Sequence, residues 1–339
     1  MRYRLFGRSG LRVSEFILGA MIFGPDAGPS ARLADPESSR RIFDAFAAAG
    51  GNTIDTANRY TDGHSERLVG EFVASERDRF VLSTKYTLTI DESDPNASGN
   101  HRKSLTRSLE QSLRRLRTDY IDIFWVHIWD ADTPIEETVR ALDDAVTAGK
   151  VLYVGISDAP AWVVARANTI AELRGWTPFV GLQVPYSLVN RQIERELLPV
   201  ASAFGMSITA WSPLGSGLLS GKYVEGSEGS GRLDARTIPE RDRAIARETQ
   251  AVAEELGVTS PQVALAWLRA QSALIHPIVG ARRVEQLIDN LGAADVELTD
   301  EALARLDAVS ALEPAFPTDM INDTRGFVYG AAGELVVHR

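Results

Sequence analysis

The chain is expected to fold as an α/β protein of the (β/α)8 TIM-barrel class, a closed ring of eight parallel strands wrapped in helices. Eight short strand-like runs recur along its 339 residues, and segments of helical periodicity separate most of them. The G-x-G-x-x-G turn that marks a doubly wound dinucleotide-binding sheet follows no early strand. Gly215-Ser216-Gly217 comes late and lacks a third glycine at the required spacing. Alternating β and α elements imply a parallel sheet, and eight units fit a closed barrel. Size does not choose between a barrel and an open sheet, so pattern decides.

The first runs, Tyr3–Phe6 and Leu11–Ser14, flank Gly7-Arg8-Ser9-Gly10 and read as a hairpin within residues 1–15, which stands outside the alternation and plugs one end. The alternation then begins with strand Phe16–Ala20 and helix Glu37–Ala49, followed by Thr53–Asp55 with Ser65–Ala74 and Phe80–Thr84 with Lys103–Leu116. Ile121–Val126 pairs with helix Ile135–Ala148, Val151–Ile156 with Ala161–Leu173, and Val180–Val184 with Ile193–Phe204. Strand Ser207–Ala210 leads to an irregular tract, Tyr223–Arg243, rich in Gly, Ser and Arg, of the length that lids and connectors have. Helix Pro261–Ala270, strand Ile275–Val279 and helix Val284–Leu291 complete the set. A further helix, Thr299–Val309, opens on Thr299 as N-cap and precedes a Pro-containing tail, Glu313–Arg339. No internal repeat beyond this alternation is evident, and residues 1–339 are read as a single barrel domain.

Forty-four per cent hydrophobic and 24% charged residues are ordinary for a cored globular protein, and no apolar run reaches membrane length. The run Phe16–Phe23 is short, follows Arg12 and Glu15, and lacks a cleavage pattern, so a cytoplasmic protein is expected. With no cysteine, disulfides, thiol nucleophiles and thiolate metal sites are excluded. A net charge of −10 argues against nucleic acid and acidic membranes as partners. It leaves room for a small anionic ligand in a local cationic pocket, for which Lys222, Arg282 and Arg283 are candidates. His64 and His101 read as loop or cap residues, since no cluster with metal-ligand spacing occurs; no metal is expected.

In such a barrel the reacting groups gather at the carboxyl ends of the strands. Asp55 ends the second unit, Lys85 the third and His127 the fourth, while Ser157-Asp158, Gln183 and Trp211-Ser212-Pro213 end the next three. Reducing a carbonyl requires a hydride at carbon and a proton at oxygen, and a tyrosine with an ordinary pKa of ~10 holds its proton too tightly near neutrality. An ammonium at Lys85 favours the tyrosinate of Tyr60 and lowers its pKa, with Asp55 keeping the lysine charged. His127 can hydrogen-bond the substrate oxygen as negative charge develops. A strand-end lysine also admits a second reading, a Schiff-base aldolase acting through Lys85.

The motifs D-T-A-N-R-Y, S-T-K-Y and V-H-I-W-D, holding Asp55, Tyr60, Lys85 and His127, resemble the aldo-keto reductases, and the resemblance covers nearly the whole chain. It implies a barrel that binds an extended nicotinamide dinucleotide without a Rossmann domain, with tyrosine as general acid, lysine lowering its pKa, aspartate supporting lysine and histidine orienting the carbonyl. The cofactor segments are similar to the branch near bacterial reductases and potassium-channel β-subunits. By that resemblance Ser157, Asp158 and Gln183 take the carboxamide and Trp211 stacks on the nicotinamide. Ser212, Pro213, Leu214, Ser216 and Lys222 surround the pyrophosphate, with peptide N–H groups as further donors. In Gly280-Ala281-Arg282-Arg283-Val284-Glu285-Gln286-Leu287-Ile288-Asp289-Asn290, Arg282 and Gln286 are implied at a 2′-phosphate near a helix start, and Asn290 at adenine.

NADPH is therefore implied over NADH, with a small carbonyl or alcohol as substrate. Asp158 departs from the family's usual asparagine; an ionised carboxylate accepts from a carboxamide nitrogen but cannot donate to its oxygen. Met21, Phe23, Tyr86 and Trp129 are the expected substrate-pocket residues, and Phe316, Phe327 and Tyr329 of the tail are placed over the barrel. Loops set substrate choice in that family, so no motif names the substrate. A third reading is a cofactor-sensing binding subunit like the channel-associated relatives.

Overall fold

Strands that are apolar on both faces must be covered on both, and that requirement dictates the architecture. In the computed structural model, which describes residues 1–25, 33–222 and 237–330, the barrel strands are β3 (Ile17–Gly19), β4 (Thr53–Asp55), β5 (Val81–Tyr86), β6 (Ile121–Val126), β7 (Val151–Ser157), β8 (Phe179–Pro185), β9 (Ser207–Trp211) and β10 (Ile275–Val279), after a separate pair, β1 (Tyr3–Leu5) and β2 (Arg12–Ser14). β5 and β6 are buried at every position. All neighbours are parallel, and the ring closes in the order β10-β3-β4-β5-β6-β7-β8-β9.

The surrounding helices are α1 (Pro36–Ala48), α2 (His64–Val73), α3 (Arg102–Leu116), α4 (Ile135–Thr147), α5 (Ala161–Arg174), α6 (Leu197–Phe204), α7 (Glu240–Leu256), α8 (Ser260–Gln271), α9 (Val284–Leu291) and α10 (Asp300–Ser310). Their starts follow local chemistry. Asp35 caps α1 by accepting from Ser38 N–H at 2.8 Å, and Pro36 supplies a first helical residue that needs no amide partner. Thr259 and Gln262 form a reciprocal capping box on α8. His101 caps α3, and Thr299 caps α10 through Ala302 N–H at 3.1 Å.

The antiparallel hairpin β1–β2 plugs the amino end of the barrel. Phe6 enters fully buried and meets the Trp125 ring edge-on at 6.3 Å, in a cluster with Val13, Val81 and Ile123. Two glycines make room for the indole: a Cβ on Gly155 would come within 2.3 Å of it, and one on Gly181 within 2.7 Å. Close approach, rather than backbone freedom, requires glycine at both positions.

The 17-residue helix α7 begins inside the stretch expected to be irregular. Its buried face consists of Ile245, Ala246, Thr249, Val252 and Ala253, so only two large aliphatic side chains mark its period. Of the Tyr223–Arg243 tract, residues 223–236 lie outside the described residues, as do 331–339 of the tail. The tail also carries two short helices, α11 (Thr318–Asp323) and α12 (Arg325–Tyr329). Contrary to expectation, Phe316 and Phe327 do not pack over the barrel: they are 82% and 91% exposed, and Tyr329 is exposed as well. Among the described residues, no helix is long and apolar enough to cross a membrane.

Candidate active site

Parallel pairing brings the carboxyl ends of the strands to one rim: Asp55 lies opposite Ser83, Lys85 opposite Trp125 and Ser157 opposite Gln183. Tyr60 is not on a strand. It opens a tight turn after β4 in which Thr61 and Asp62 take left-handed backbone angles (φ 46° and 53°). A β-branched residue there is strained, and bonds to the surroundings hold it in place. Thr61 Oγ1 donates to the Phe23 carbonyl at 2.7 Å, and Asn58 N–H donates to the Lys85 carbonyl at 3.2 Å.

Lys85 is fully buried and its ammonium meets three acceptors: Asp55 Oδ2 at 2.5 Å, the Thr56 carbonyl at 2.7 Å and the Tyr60 hydroxyl at 3.1 Å. Every proton of the ammonium is therefore engaged. Asp55 Oδ1 accepts from Ser83 Oγ at 2.7 Å and from Gln183 Nε2 at 3.1 Å. Burial alone would depress the lysine, but Asp55 and Tyr60 outweigh it and hold its pKa above the ordinary value. A permanently protonated amine is a poor nucleophile, which weighs against an imine-forming aldolase.

The expected lowering of the Tyr60 pKa is only part of the outcome. Burial is the largest influence and raises it; Lys85 pulls it down, Asp55 and Asp158 push it up, and the net direction is upward. The phenol therefore keeps its proton at rest. His127, whose ring meets that of Tyr60 edge-on at 5.8 Å, is pushed down to about 3 by burial and then by Lys85, so it is a neutral imidazole. Among the described residues its buried Nδ1 has no hydrogen-bond partner.

On the other side of the rim, Asp158 follows β7 with a left-handed φ of 44°. Its N–H donates to the Gln183 carbonyl at 3.2 Å, its carbonyl accepts from Trp129 N–H at 3.3 Å, and its Oδ1 accepts from the Trp211 indole at 3.2 Å. Trp211 ends β9 with 38% of its surface exposed. The loop after it turns through left-handed Ser212 and Ser216 (φ 53° and 58°), with Pro213 buried and Leu214 half-buried. Trp211, Ser212, Gly215 and Ser216 line a pocket of roughly 280 Å³ together with Tyr186 and Asp242. Lys222 lies exposed beyond this loop.

After β10, a Cβ added to Gly280 would make an ordinary contact with the Gly19 carbonyl at 3.6 Å. Arg282 and Arg283 are exposed at the start of α9. Gln286 Oε1 accepts from Arg282 N–H at 3.1 Å, and Asn290 is buried on the same helix.

Two pocket expectations are corrected. Tyr86 neighbours Lys85 in sequence, but successive strand residues face opposite sides. Its ring points outward, stacked on Phe124 at 5.2 Å, with its hydroxyl donating to the Asn100 carbonyl at 3.3 Å. Phe23 is fully buried against Phe72. Met21, at 42% exposure, and half-buried Trp129 remain near the rim, joined by exposed Ile128 beside His127. Sequence reading also missed Ser83 as a partner of Asp55 and the Gln183–Asp55 bond. Ser83 was accessible to it, being two residues before Lys85 and so on the same inward face.

The Aldo/keto reductase family model matches residues 15–311. The chain is 40% identical over 316 residues to the norsolorinic acid reductase stcV of Emericella nidulans, covering 91% of this chain and 81% of that protein. It is 39% identical over 346 residues to an aryl-alcohol dehydrogenase (NADP(+)) of Phanerodontia chrysosporium, covering 96% and 90% respectively. The aldo-keto reductase ausK of Emericella nidulans is 37% identical over 334 residues, covering 94% and 84%.

Proposed function

This chain belongs to the aldo/keto reductase family, and we propose that it is an NADPH-dependent oxidoreductase that interconverts small aldehydes or ketones and their alcohols, with Tyr60 as general acid in reduction and general base in the reverse direction. The observation that carries this reading is the Lys85 ammonium, which touches the Asp55 carboxylate and the Tyr60 hydroxyl at once. As negative charge grows on the substrate oxygen, that oxygen becomes a far stronger base than a phenolate, and the Tyr60 proton moves to it. Lys85 stabilises the phenolate left behind, Asp55 holds Lys85 in place, and neutral His127 hydrogen-bonds the same oxygen.

The residues present suit a nicotinamide dinucleotide: a half-exposed indole at the rim, a serine-bearing loop with left-handed turns beside a pocket, and exposed cations at both ends. NADPH supplies the hydride when bound. In this reading Ser157, Asp158, Gln183 and Trp211 hold its nicotinamide; Ser212, Pro213, Leu214, Ser216 and Lys222 surround the pyrophosphate; Gly280, Arg282, Gln286 and Asn290 take the adenosine end, with Arg282 selecting the 2′-phosphate. Met21 and Trp129 border the substrate. Two relatives support a reversible carbonyl–alcohol reaction, one named a reductase and the other an NADP-linked alcohol dehydrogenase.

The test is a panel of aliphatic and aromatic carbonyls assayed with NADPH, comparing the unmodified protein with Tyr60→Phe. Turnover is expected to fall by at least about 100-fold while NADPH still binds. Unchanged reduction in Tyr60→Phe would remove the tyrosine from its role, and no turnover on any carbonyl despite NADPH binding would remove the activity.

A further inference from the structure

We propose that the Asp158 carboxylate, fastened to the Trp211 indole, is an oxidation-state discriminator that favours the positively charged oxidised nicotinamide ring over the neutral reduced ring. This rests on the nicotinamide reading above and deepens it.

The carboxylate is built into the rim. Its backbone is tied to β8 through the Gln183 carbonyl and to the segment after β6 through Trp129 N–H. Aspartate tolerates the left-handed angle these bonds impose (φ 44°) better than most residues. The indole N–H at 3.2 Å then fixes the side chain against the ring that walls the pocket. Burial is the largest influence on this carboxyl and raises its pKa above the ordinary value; Trp211, Ser157 and Lys85 oppose it and favour the ionised form.

Its field also reaches the reacting centre, because Asp158 is attracted by Lys85 and raises the pKa of Tyr60. Hydride transfer requires the nicotinamide ring to touch the carbon whose oxygen faces the Tyr60 hydroxyl. A ring so placed, beside Trp211, lies within the field of Asp158.

In reduction, the carbonyl carbon gains the hydride and its oxygen gains the Tyr60 proton, while the nicotinamide ring passes from neutral to +1. A fixed negative charge stabilises the product ring and not the reactant ring. A neutral amide at position 158 would make little distinction between them. By the binding cycle, a tenfold preference for the oxidised form lowers the potential of the bound two-electron couple by about 30 mV. Bound NADPH becomes the stronger hydride donor, and NADP+ is held longer after reaction.

The experiment is calorimetric titration of the intact protein with NADPH and with NADP+ separately, for the unmodified chain, Asp158→Asn and Asp158→Ser, each checked for an unchanged thermal transition. Both variants are expected to raise the ratio Kd(NADP+)/Kd(NADPH) by about tenfold. Should both dinucleotides weaken or tighten together, leaving the ratio within about twofold of the unmodified value, the proposal is overturned while the cofactor assignment stands. Should neither dinucleotide bind the unmodified protein, the cofactor assignment itself falls and the proposal with it.

Discussion

Gln183 and Asp55, 128 positions apart in the chain, meet across the barrel at 3.1 Å, amide nitrogen to carboxylate oxygen. Together with Ser83 this bond leaves Asp55 Oδ2 as the oxygen that faces the Lys85 ammonium. In the proposed mechanism Gln183 thus acts on the proton relay through Asp55, in addition to the nicotinamide contact proposed for it. Replacing it with Leu should lower kcat by roughly tenfold, the loss of a supporting hydrogen bond to a charged group. A change confined to KM for NADPH, with kcat intact, would limit Gln183 to cofactor binding.

Lys85 and Asp55 form a pair that is almost wholly buried. Lys85→Met leaves an unpaired carboxylate in the barrel, which should cost about 3–5 kcal/mol of stability and abolish turnover. Lys85→Arg should restore little activity, because a planar guanidinium cannot replace a compact ammonium reaching three acceptors. Urea unfolding and turnover, measured on both variants, check the two halves of this expectation.

His276 is fully buried under the hairpin plug, 5.8 Å from the Phe6 ring, and burial pushes its pKa down to about 4 from an ordinary 6.5. In the unfolded chain it binds its proton first as pH falls, so its contribution is intact above about pH 6.5 and is lost progressively towards pH 4. The loss should reach roughly 3 kcal/mol, and His127, pushed to about 3, adds to the same slope. His276→Asn should flatten the dependence of unfolding free energy on pH across that window, measured by denaturant midpoints at pH 7 and 4.5. An unaltered slope would place the titrating group elsewhere.

Gly155 faces the Trp125 ring inside the barrel, where an added Cβ would stand 2.3 Å away. Gly155→Ala should destabilise the protein by about 1–3 kcal/mol through overpacking. Adding Trp125→Leu should recover part of that loss. Strict additivity of the two substitutions in equilibrium unfolding would contradict direct contact as the cause.

Much of the fold was legible because its signals are local. Each strand–helix unit announces itself within a window of some ten to twenty residues, and Asp55, Lys85 and His127 could be placed on one rim from their positions within those units. The helix α7 escaped because Ala and Thr fill its buried face and leave little periodic contrast. Tyr86 was misplaced for a different reason: nearness along a strand says nothing about side, and its face alternates away from that of Lys85. Phe23, past the end of β3, turns into the core against Phe72.

The sequence by itself determined the alternating units, the barrel class and the polar residue types gathered at the strand ends, all carried by spacing and short motifs. Only the tertiary structure decided that Gln183 supports Asp55, that Trp211 fastens Asp158, and that burial outweighs Lys85 in setting the Tyr60 proton. These depend on barrel closure, strand register and the exclusion of water, which arise between residues far apart in the chain.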